Sequence, residues 1–312
     1  MAIVTKGSGG SIKFSGTGGS INIASSGGGA GGGGGGGGGA PDSSNLYSLL
    51  RRGVNQTTTT NGFDETVIAS WTDARGAGLG YPKFVPQGRW TTGGPAIGCT
   101  IDADGSVIIR SDNVHKATFM RATTDDSDAA LSNTADASWT AYVRFANPLY
   151  NGNPIAGSNY IFSAFSNTND GAGDDSSVGE SVRLFPQSTG WTTGIWRLSV
   201  QQPVGGSWTY PVNGETIAGS QFVPNPNEYQ VAILRVSPSQ GWSFRLANSS
   251  NGGGSFGSSL AYNAASPFNL GRALWLGGQD GGNFPISDFA IYKSYHDEST
   301  ATQVISHLTA AP

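Results

Sequence analysis

The stretch "ALWLGGQDGGNFPISDFAIYKSYHDESTATQVISHL", Ala273–Leu308, contains two kinds of apolar spacing in succession. Its first part has two short runs of aliphatic and aromatic residues, "ALWL" and "ISDFAIY", separated by glycine-rich sequence. Runs of this kind, bounded by turn residues, are typical of β-strands. Behind Asp297 or Ser299, either of which can cap a helix, three apolar residues follow at helical spacing: Val304, Ile305 and Leu308. The stretch therefore predicts two strands and a closing helix.

Similar strand-like runs recur along the chain from Phe63 onward. "GCTIDADGSVIIRS" predicts a hairpin in which a D-A-D-G turn joins Cys99–Ile101 to Val107–Arg110. Further runs that alternate, or are rich in β-branched and aromatic residues, occupy 137–146, 159–166, 180–186, 194–202, 228–237 and 241–248. Many short strands separated by Gly, Pro, Asn and Ser, with almost no helical periodicity, predict an all-β sandwich.

The order of these runs, and the tail above all, resembles the concanavalin A-like, laminin-G-like jelly-roll family. In that family a strand of the form x-L-x-L-G-G precedes a glycine-rich loop, a strand of the form G-x-I-D-D-[VF]-x-[IV]-Y and a short helix. The quoted stretch matches this order. "SWTAYVRFA" is similar to the family's early core strand, and "NEYQVAILRVSPSQGWSFRLAN" is similar to its central hairpin. The resemblance covers Trp90–Leu308 and implies a concanavalin A-like jelly-roll sandwich with a short C-terminal helix.

The chain lacks the sequence features that carry catalytic activity in the hydrolase members of this family. The Asn-Gly that usually follows the central hairpin is approximated only by Asn248 and Gly252. The hydrolase signature of the family, two Glu flanking an Asp on one strand, is missing. The sequence also lacks G-x-S-x-G, a P-loop and H-E-x-x-H. We therefore expect no enzymatic activity and no cofactor, with a divergent glycan hydrolase as an alternative.

The first residues, 1–26, are built differently, and we call them the leader. "GSGGSIKFS" is repeated as "GTGGSINIA", and each copy joins a G-[ST]-G-G turn to an alternating segment. The leader is therefore predicted to form one hairpin, which is marginally stable alone in water. Its apolar face needs a partner, either another copy of itself or a groove on another protein, so we predict a docking tag. The predicted docking residues are Ile12, Phe14, Ile21 and Ile23.

A glycine-rich run, residues 27–41, follows the leader. Glycine buries no side chain and loses the most conformational freedom on ordering, so the run cannot form a core element. Two states are open: a flexible spacer whose ends lie about 20 Å apart on average, or glycine strands ordered by packing against other chains. A homo-oligomer is expected, and a trimer is favoured, because weak multivalent binding gains most from clustering.

Residues 42–62 are predicted to connect the glycine run to the sandwich through a short helix. In "DSSNLYSLLRRG", Ser43 or Ser44 caps the helix, and Arg51 and Arg52 lie in its last turn, as the helix dipole prefers. The apolar side of this helix would be Leu46, Leu49 and Leu50. The segments that follow are a polar connector, "QTTTTNG" at 56–62, and the predicted sandwich at 63–312.

Composition narrows the function classes. The 312-residue chain has a net charge of −4 and no basic face with interleaved aromatic residues, which argues against a nucleic-acid partner. Its single cysteine, Cys99, excludes an internal disulfide and is expected to be a small buried hydrophobic residue. The start lacks the pattern of a secretory signal, and no apolar run approaches the roughly 20 residues of a membrane helix.

Aromatic residues in turn-rich surroundings are the candidates for a binding site. Trp191 in "QSTGWTTG", and Trp208 with Tyr210 in "GGSWTYPVNG", stand among Gly, Ser and Thr. Because an indole stacks on the C–H face of a sugar while nearby polar side chains bind its hydroxyls, these residues predict a carbohydrate-binding site. The alternative is that they only cover the edges of the sandwich. Tryptophans inside strand patterns are expected in the core: Trp139, Trp196 and Trp275.

Two acidic clusters offer the oxygen ligands that Ca²⁺ prefers, although neither has the spacing of an EF-hand. They are "TTDDSDAA", with Asp125, Asp126 and Asp128, and "DGAGDDSSVGE", with Asp170, Asp174, Asp175 and Glu180. Solvated loop charge is the favoured interpretation, and no metal site is predicted. The histidines are far apart in the sequence, so surface or capping roles are favoured over metal ligation for His115, His296 and His307.

The repeats of the leader, the polyglycine and the lectin-like body together are similar to accessory virion proteins of tailed phages. This resemblance implies a structural virion protein, such as a head or tail fibre or a decoration protein, whose residues 1–26 dock on other virion proteins. The sandwich would then face outward and bind cell-surface glycan. A capsid-cementing protein with no ligand is the alternative. The expected localisation is the virion, after synthesis in the host cytoplasm and without membrane insertion.

Overall fold

A computed structural model defines the body of the protein and the elements that form it. It describes residues 39–76, 83–88, 99–109, 118–123, 138–146, 161–165, 181–186, 196–204, 207–216, 228–249, 252–261, 273–277 and 284–312. The elements are β1 (Leu46–Arg51), β2 (Gln56–Thr60), β3 (Thr66–Trp71), β4 (Lys83–Gly88), β5 (Thr100–Ile101), β6 (Val107–Ile109), β7 (Thr118–Thr123), β8 (Trp139–Ala146), β9 (Phe162–Phe165), β10 (Ser181–Pro186), β11 (Trp196–Val204), β12 (Ser207–Thr216), β13 (Tyr229–Ser237), β14 (Gly241–Ala247), β15 (Ala273–Leu276), β16 (Phe284–Tyr292) and α1 (Glu298–Thr309).

The strands form one continuous antiparallel ladder that folds back on itself to give two facing layers. Its order is β12-β11-β10-β9-β15-β7-β4-β3-β5-β6-β16-β8-β13-β14, with β1 added to β16 and β2 added to β3. Because β3 pairs with both β4 and β5, the ladder passes there from one layer to the other. We call β16, β8, β13 and β14 the front layer, and β4, β7, β15 and β9 to β12 the back layer.

Large aromatic side chains fill the space between the layers. The ring centroids of Trp139 in β8 and Phe162 in β9 are 5.8 Å apart, and those of Trp196 in β11 and Phe244 in β14 are 4.8 Å apart. Each contact joins a front strand to a back strand, so the two layers form a sandwich. Trp139 and Trp196 are fully buried, as predicted. The side chain of Trp275, also predicted for the core, lies outside the described residues.

Helix α1 covers the outward side of the front layer. Alternation along β8 directs Val143 into the core between the layers and Tyr142 outward. Outward residues of the front layer form a second apolar cluster with three helix residues, Ala301, Val304 and Leu308. The helix starts as predicted, because the side chain of Asp297 accepts a hydrogen bond from the backbone N–H of Thr300. Val304 and Leu308 face inward as predicted, whereas Ile305 is only half-buried.

Residues Leu46–Arg51 form strand β1, and the predicted helix at this position is wrong. β1 pairs with β16, from Leu46 opposite Tyr292 to Arg51 opposite Asp288. Leu49 joins the apolar cluster under α1, while its neighbour Leu50 joins the core between the layers. Consecutive residues are therefore buried on opposite faces, which is strand geometry. A segment this short has little helical stability of its own, so pairing with β16 and burial on both faces decide its conformation.

The predicted polar connector contains strand β2, which pairs with β3. All four threonines of β2 are exposed, so the strand has no buried face. β-Branched threonine favours extended backbone, and β3 supplies the hydrogen-bonding partner. The sandwich body therefore includes β1 and β2, which precede the predicted start at residue 63.

The remaining strand predictions are confirmed where the described ranges cover them. Thr100–Ile101 and Val107–Ile109 form the predicted hairpin, and Gly105 takes a φ of +84° in its D-A-D-G turn. Cys99 is buried, as expected. The prediction of an all-β sandwich with a short C-terminal helix is confirmed. Across the described part of the chain, no helical segment has the length and hydropathy of a transmembrane helix.

Candidate functional site

A buried carboxylate in β16 gathers three arginines on the outward side of the front layer. Asp288 is fully buried, and its Oδ2 atom accepts hydrogen bonds from Arg52 and Arg144, each at 3.0 Å, and from the hydroxyl of Ser287 at 2.7 Å. Arg51 Nε lies 2.7 Å from Oδ1 as an ion pair, although its N–H direction falls outside hydrogen-bond geometry. We call these five residues the Asp288 cluster. Together they connect β1, β8 and β16.

The arginines of the Asp288 cluster also reach groups outside it. Arg51 donates to the carbonyl oxygens of His307 and Ala310, at 2.9 Å and 2.7 Å, at the C-terminal end of α1. A cation at a helix C-terminus is favourable, because the last carbonyls lack partners within the helix. The Arg144 guanidinium lies 4.7 Å from the centre of the Tyr229 ring, a cation–π contact. The cluster therefore holds α1, β1 and the front layer together.

A second polar group lies at the N-terminal end of α1. It includes Asp42, the residue that directly follows the glycine run. His296 Nε2 lies 3.1 Å from Asp42 Oδ2, and His296 Nδ1 lies 2.6 Å from the hydroxyl of Tyr142. Because a carboxylate only accepts, Nε2 carries the proton and Nδ1 accepts from Tyr142. Asp42 also accepts from Ser294 at 2.7 Å and from Asn45 at 2.8 Å. We call Asp42, Tyr142 and His296 the relay.

Burial and hydrogen bonding together set the ionisation of the relay. It lowers the pKa of His296, although hydrogen bonding and charge attraction from Asp42 act in the opposite direction. Burial alone would raise the pKa of Asp42, but hydrogen bonds from Ser294, Asn45 and His296 together outweigh it and lower that pKa. Burial also raises the pKa of Tyr142 far above its ordinary value. At neutral pH the relay is therefore a neutral tyrosine, a neutral imidazole and a carboxylate.

The relay has the order of a proton relay, but its terminal hydroxyl is enclosed. Tyr142 has no exposed surface and His296 is 2% exposed. Tyr142 also packs edge-on against Tyr292, with ring centroids 5.7 Å apart. A substrate cannot reach this hydroxyl in the described structure. The relay therefore serves to fasten Asp42 to the sandwich.

As the pH is lowered below about 6.5, the ordinary pKa of histidine, the free energy of unfolding is expected to decrease. Below that pH the unfolded chain binds a proton on His296 that the folded chain does not, since the folded pKa is lowered. The slope from this one group is at most about 1.4 kcal/mol per pH unit. His296→Gln should flatten the slope between pH 6.5 and 5, measured by urea unfolding at each pH.

His307 contributes to the same pH dependence and provides the comparison. Burial lowers its pKa, as does the charge of Arg51. His307→Gln should remove only its own share of the slope, and the double substitution should be flatter than either single one. A His296→Gln variant with the slope of the parent chain would contradict the assignment.

The structure revises the predicted histidine roles. His296 is not a surface residue, because residues from β8, the Asp42 turn and the segment before α1 enclose it. His307 lies in the last turn of α1 and is half-buried. His115 lies outside the described residues. A histidine directly before an Asp helix cap was the only sequence signal for the relay, because its other members are distant in the chain.

Two further arginines on the outward side of the front layer serve packing. The Arg235 guanidinium lies 3.3 Å from the centre of the Phe256 ring and 4.5 Å from that of Tyr295. Arg245 donates to the backbone oxygen of Gly253 and to the Glu298 carboxylate, at 2.9 Å and 3.1 Å. Burial lowers the pKa of both arginines, and nearby acidic side chains oppose that shift. These contacts hold α1 and the 252–261 segment on the sandwich.

Two of the three predicted carbohydrate-binding residues fall at one end of the ladder. Trp208 and Tyr210 lie two positions apart in β12, the terminal strand of the back layer, which pairs with β11. Their side chains, and the whole of Trp191, are outside the described residues. The leader residues Ile12, Phe14, Ile21 and Ile23 are also outside, as are both acidic clusters. Within the described ranges, no three His, Cys, Asp or Glu side chains come together as a metal site.

Comparisons with protein-family models and with curated protein sequences find no match. Among solved structures, the binding domain of botulinum neurotoxin serotype D/C aligns over 85% of this chain and 53% of that chain, with 10% identity and a TM-score of 0.47. The neurotoxin DC binding domain in complex with SialylT gives 11% identity, coverages of 85% and 52%, and 0.47. A mutant GH54 α-L-arabinofuranosidase gives 16% identity, coverages of 85% and 59%, and 0.43. The chain thus spans little more than half the length of each.

Proposed function

We propose that this protein is a non-enzymatic accessory protein of a tailed-phage virion that displays its β-sandwich for glycan binding. The leader docks on other virion proteins, the glycine run spaces the body from the particle, and the sandwich faces outward. The location of Trp208 and Tyr210 on the terminal strand β12 is the observation that carries the glycan part of the proposal.

Two other surfaces of the described part of the sandwich are already occupied. The space between the layers is packed with aromatic rings, and α1 covers the outward side of the front layer. Trp208 and Tyr210 are two positions apart in β12, next to a register shift in its pairing with β11 between Thr209 and Val212. Aromatic residues on a terminal strand suit stacking against a sugar ring, with specificity supplied by neighbouring polar groups.

The attachment of Asp42 supports the spacer part of the proposal. Hydrogen bonds from Ser294, Asn45 and His296 hold this residue directly after the glycine run. The C-terminal end of the glycine run is therefore attached to the body at a fixed point, Asp42. Extended fully, fifteen residues reach roughly 50 Å, which is long enough to let a displayed domain search for ligands around its anchor.

Glycan-array binding of the full chain tests the ligand. Trp208→Ala and Tyr210→Ala should each weaken binding about tenfold, the effect of losing roughly 1.4 kcal/mol of stacking and contact. Trp208→Phe keeps an aromatic face and should retain most of the affinity. Near-ultraviolet circular dichroism confirms folding. A folded parent chain that binds no glycan on the array would overturn this part of the proposal.

Particle incorporation tests the anchor separately. A chain lacking residues 1–26 should be excluded from particles assembled with it, while the full chain is incorporated. Incorporation of the truncated chain would refute the docking role of the leader. Incorporation of the full chain without any glycan binding would favour the capsid-cementing alternative, and release of reducing sugar from an oligosaccharide would favour the hydrolase alternative.

A further inference from the structure

Strand β2 presents an unprotected edge. Within the described ranges its one strand partner is β3, and its threonines, residues 57–60, are all exposed. The strand contains neither a charged residue nor proline. Those are the devices that ordinarily prevent the edge of a sheet from pairing with another chain. β2 therefore has the composition of a strand that accepts a partner.

Two other edges of the same sandwich, those of β1 and β14, are occupied. On β1, Asp73 accepts from the backbone N–H of Leu49 at 2.8 Å, and Arg75 donates to the carbonyls of Leu46 and Tyr47, each at 2.8 Å. Side chains thus occupy edge groups that another strand would use. On β14, Trp242 and Leu260 exchange two backbone hydrogen bonds of 2.8 Å. Against these closed edges, the open edge of β2 is a distinct feature.

The open edge is held in place by the turns at both ends. At the turn into β3, the Asn61 side chain accepts from the backbone N–H groups of Phe63 and Glu65, at 2.9 Å and 3.0 Å. At the other end, Gln56 Nε2 donates to the carbonyl of Gly105 at 2.8 Å. Phe63, at the tip of the hairpin, is 45% exposed, which is high for a large apolar residue.

Charge around this edge favours one kind of occupant. Asp64 and Glu65 follow one end of β2, and Asp102 and Asp104 lie in the turn beside Gln56 at the other end. Antiparallel pairing of two copies of β2 would bring the acidic end of one strand to the acidic end of the other. Like charges so placed repel. The occupant is therefore a neutral or basic strand.

The leader has this composition. It contains Lys6 and Lys13 and no acidic residue. Its segment "SIKFS", residues 11–15, alternates apolar and polar positions, with Ile12 and Phe14 on one face and Lys13 on the other. We propose that the open edge of β2 accepts the leader segment 11–15 of a second copy by strand addition, with the positive charge of Lys13 between the two acidic ends of β2 and an apolar contact at Phe63.

This inference rests on the docking role of the leader in the proposed function and names one partner for it, a neighbouring copy. Backbone hydrogen bonds supply the affinity in strand addition, and alternate side chains supply specificity. Because each copy both gives and receives a strand, the contact is heterologous and can close into a ring. At full extension the fifteen residues of the glycine run span roughly 50 Å, which sets the upper limit on the distance between the body and a neighbouring copy that binds its leader.

Analytical ultracentrifugation of the full chain over a concentration series tests the contact. The parent chain should associate reversibly. Thr58→Lys and Thr59→Lys, which place a cation on the exposed edge, should each weaken association at least tenfold, as should Lys13→Glu in the leader. Thr309→Lys, the same substitution at an exposed position of α1, should leave association unchanged.

Three outcomes would overturn the inference: a parent chain that stays monomeric, association insensitive to both threonine substitutions, or association that needs the leader but not β2. Circular dichroism shows whether each variant is folded, and Thr58→Ser serves as a mild second variant that should keep association. Incorporation into particles is scored separately. A Thr59→Lys chain that fails to associate but is still incorporated would leave the proposed function standing.

Discussion

Asp288→Asn is expected to lower the free energy of unfolding by about 3–5 kcal/mol, the usual effect of removing one partner from a buried charge group. The fully buried carboxylate of Asp288 balances guanidinium groups whose side chains are only 6%, 16% and 12% exposed, those of Arg51, Arg52 and Arg144. Asparagine preserves the shape but leaves these cations without an anion. Against a typical total of 5–15 kcal/mol, the loss is large. Guanidinium or urea unfolding measures it.

Two companion variants make the result specific to charge. Asp64→Asn, the same substitution at an exposed turn position, should change stability by no more than about 0.5 kcal/mol. In the Asp288→Asn background, Arg52→Met removes one uncompensated cation and should recover part of the loss, because the two positions are in direct contact and therefore couple. A loss below about 1 kcal/mol for Asp288→Asn would contradict a central role for the Asp288 cluster.

Gly241→Ala is expected to cost roughly 3–5 kcal/mol, the sum of backbone strain and two lost hydrogen bonds. Gly241 begins β14 with a φ of +73°, and a Cβ atom there would lie 2.1 Å from the carbonyl oxygen of Leu260. That oxygen accepts from the backbone N–H of Trp242 at 2.8 Å, so relieving the clash breaks the bridge between Trp242 and Leu260. Thermal and urea unfolding both report the change.

Gly53→Ala is the matched control for Gly241→Ala. Gly53 has nearly the same backbone conformation, with a φ of +70°, but a Cβ atom there would have no neighbour within 4 Å. It should therefore show only the left-handed backbone penalty of about 1–2 kcal/mol. Equal losses at the two positions would mean that conformation alone, and not the contact with Leu260, requires glycine at 241.

Local pattern was sufficient for most of the strands and for helix α1. The alternation in β8, β13 and β16 and the Asp297 cap are properties of adjacent residues, so they can be read without knowing the fold. For β1, local pattern gave the wrong prediction, a helix. Its leucines have a spacing compatible with a helix, and only the presence of β16 on one side and of two separate apolar clusters made it a strand.

The Asp288 cluster and the relay could not be predicted from local sequence either, because their members are distant in the chain. Arg51 and Asp288 lie far apart in the sequence, and neither is unusual in its own surroundings. Asp42 and His296 are similarly distant. No spacing rule connects such residues, because the contact exists only after the strands pair. The predicted glycan residues illustrate the reverse case, since their aromatic character was visible while their position on the terminal strand came from the ladder order.

By itself, the sequence determined that an all-β body follows the leader and the glycine run. Strand periodicity and the absence of a side chain in glycine are properties of the individual residues, so they are visible without the fold. Tertiary structure decided which strands meet, where Asp42 is held, how three arginines share one carboxylate, and that the edge of β2 is open while that of β1 is closed. These features depend on long-range pairing, which follows from the burial of whole layers and not from any one segment.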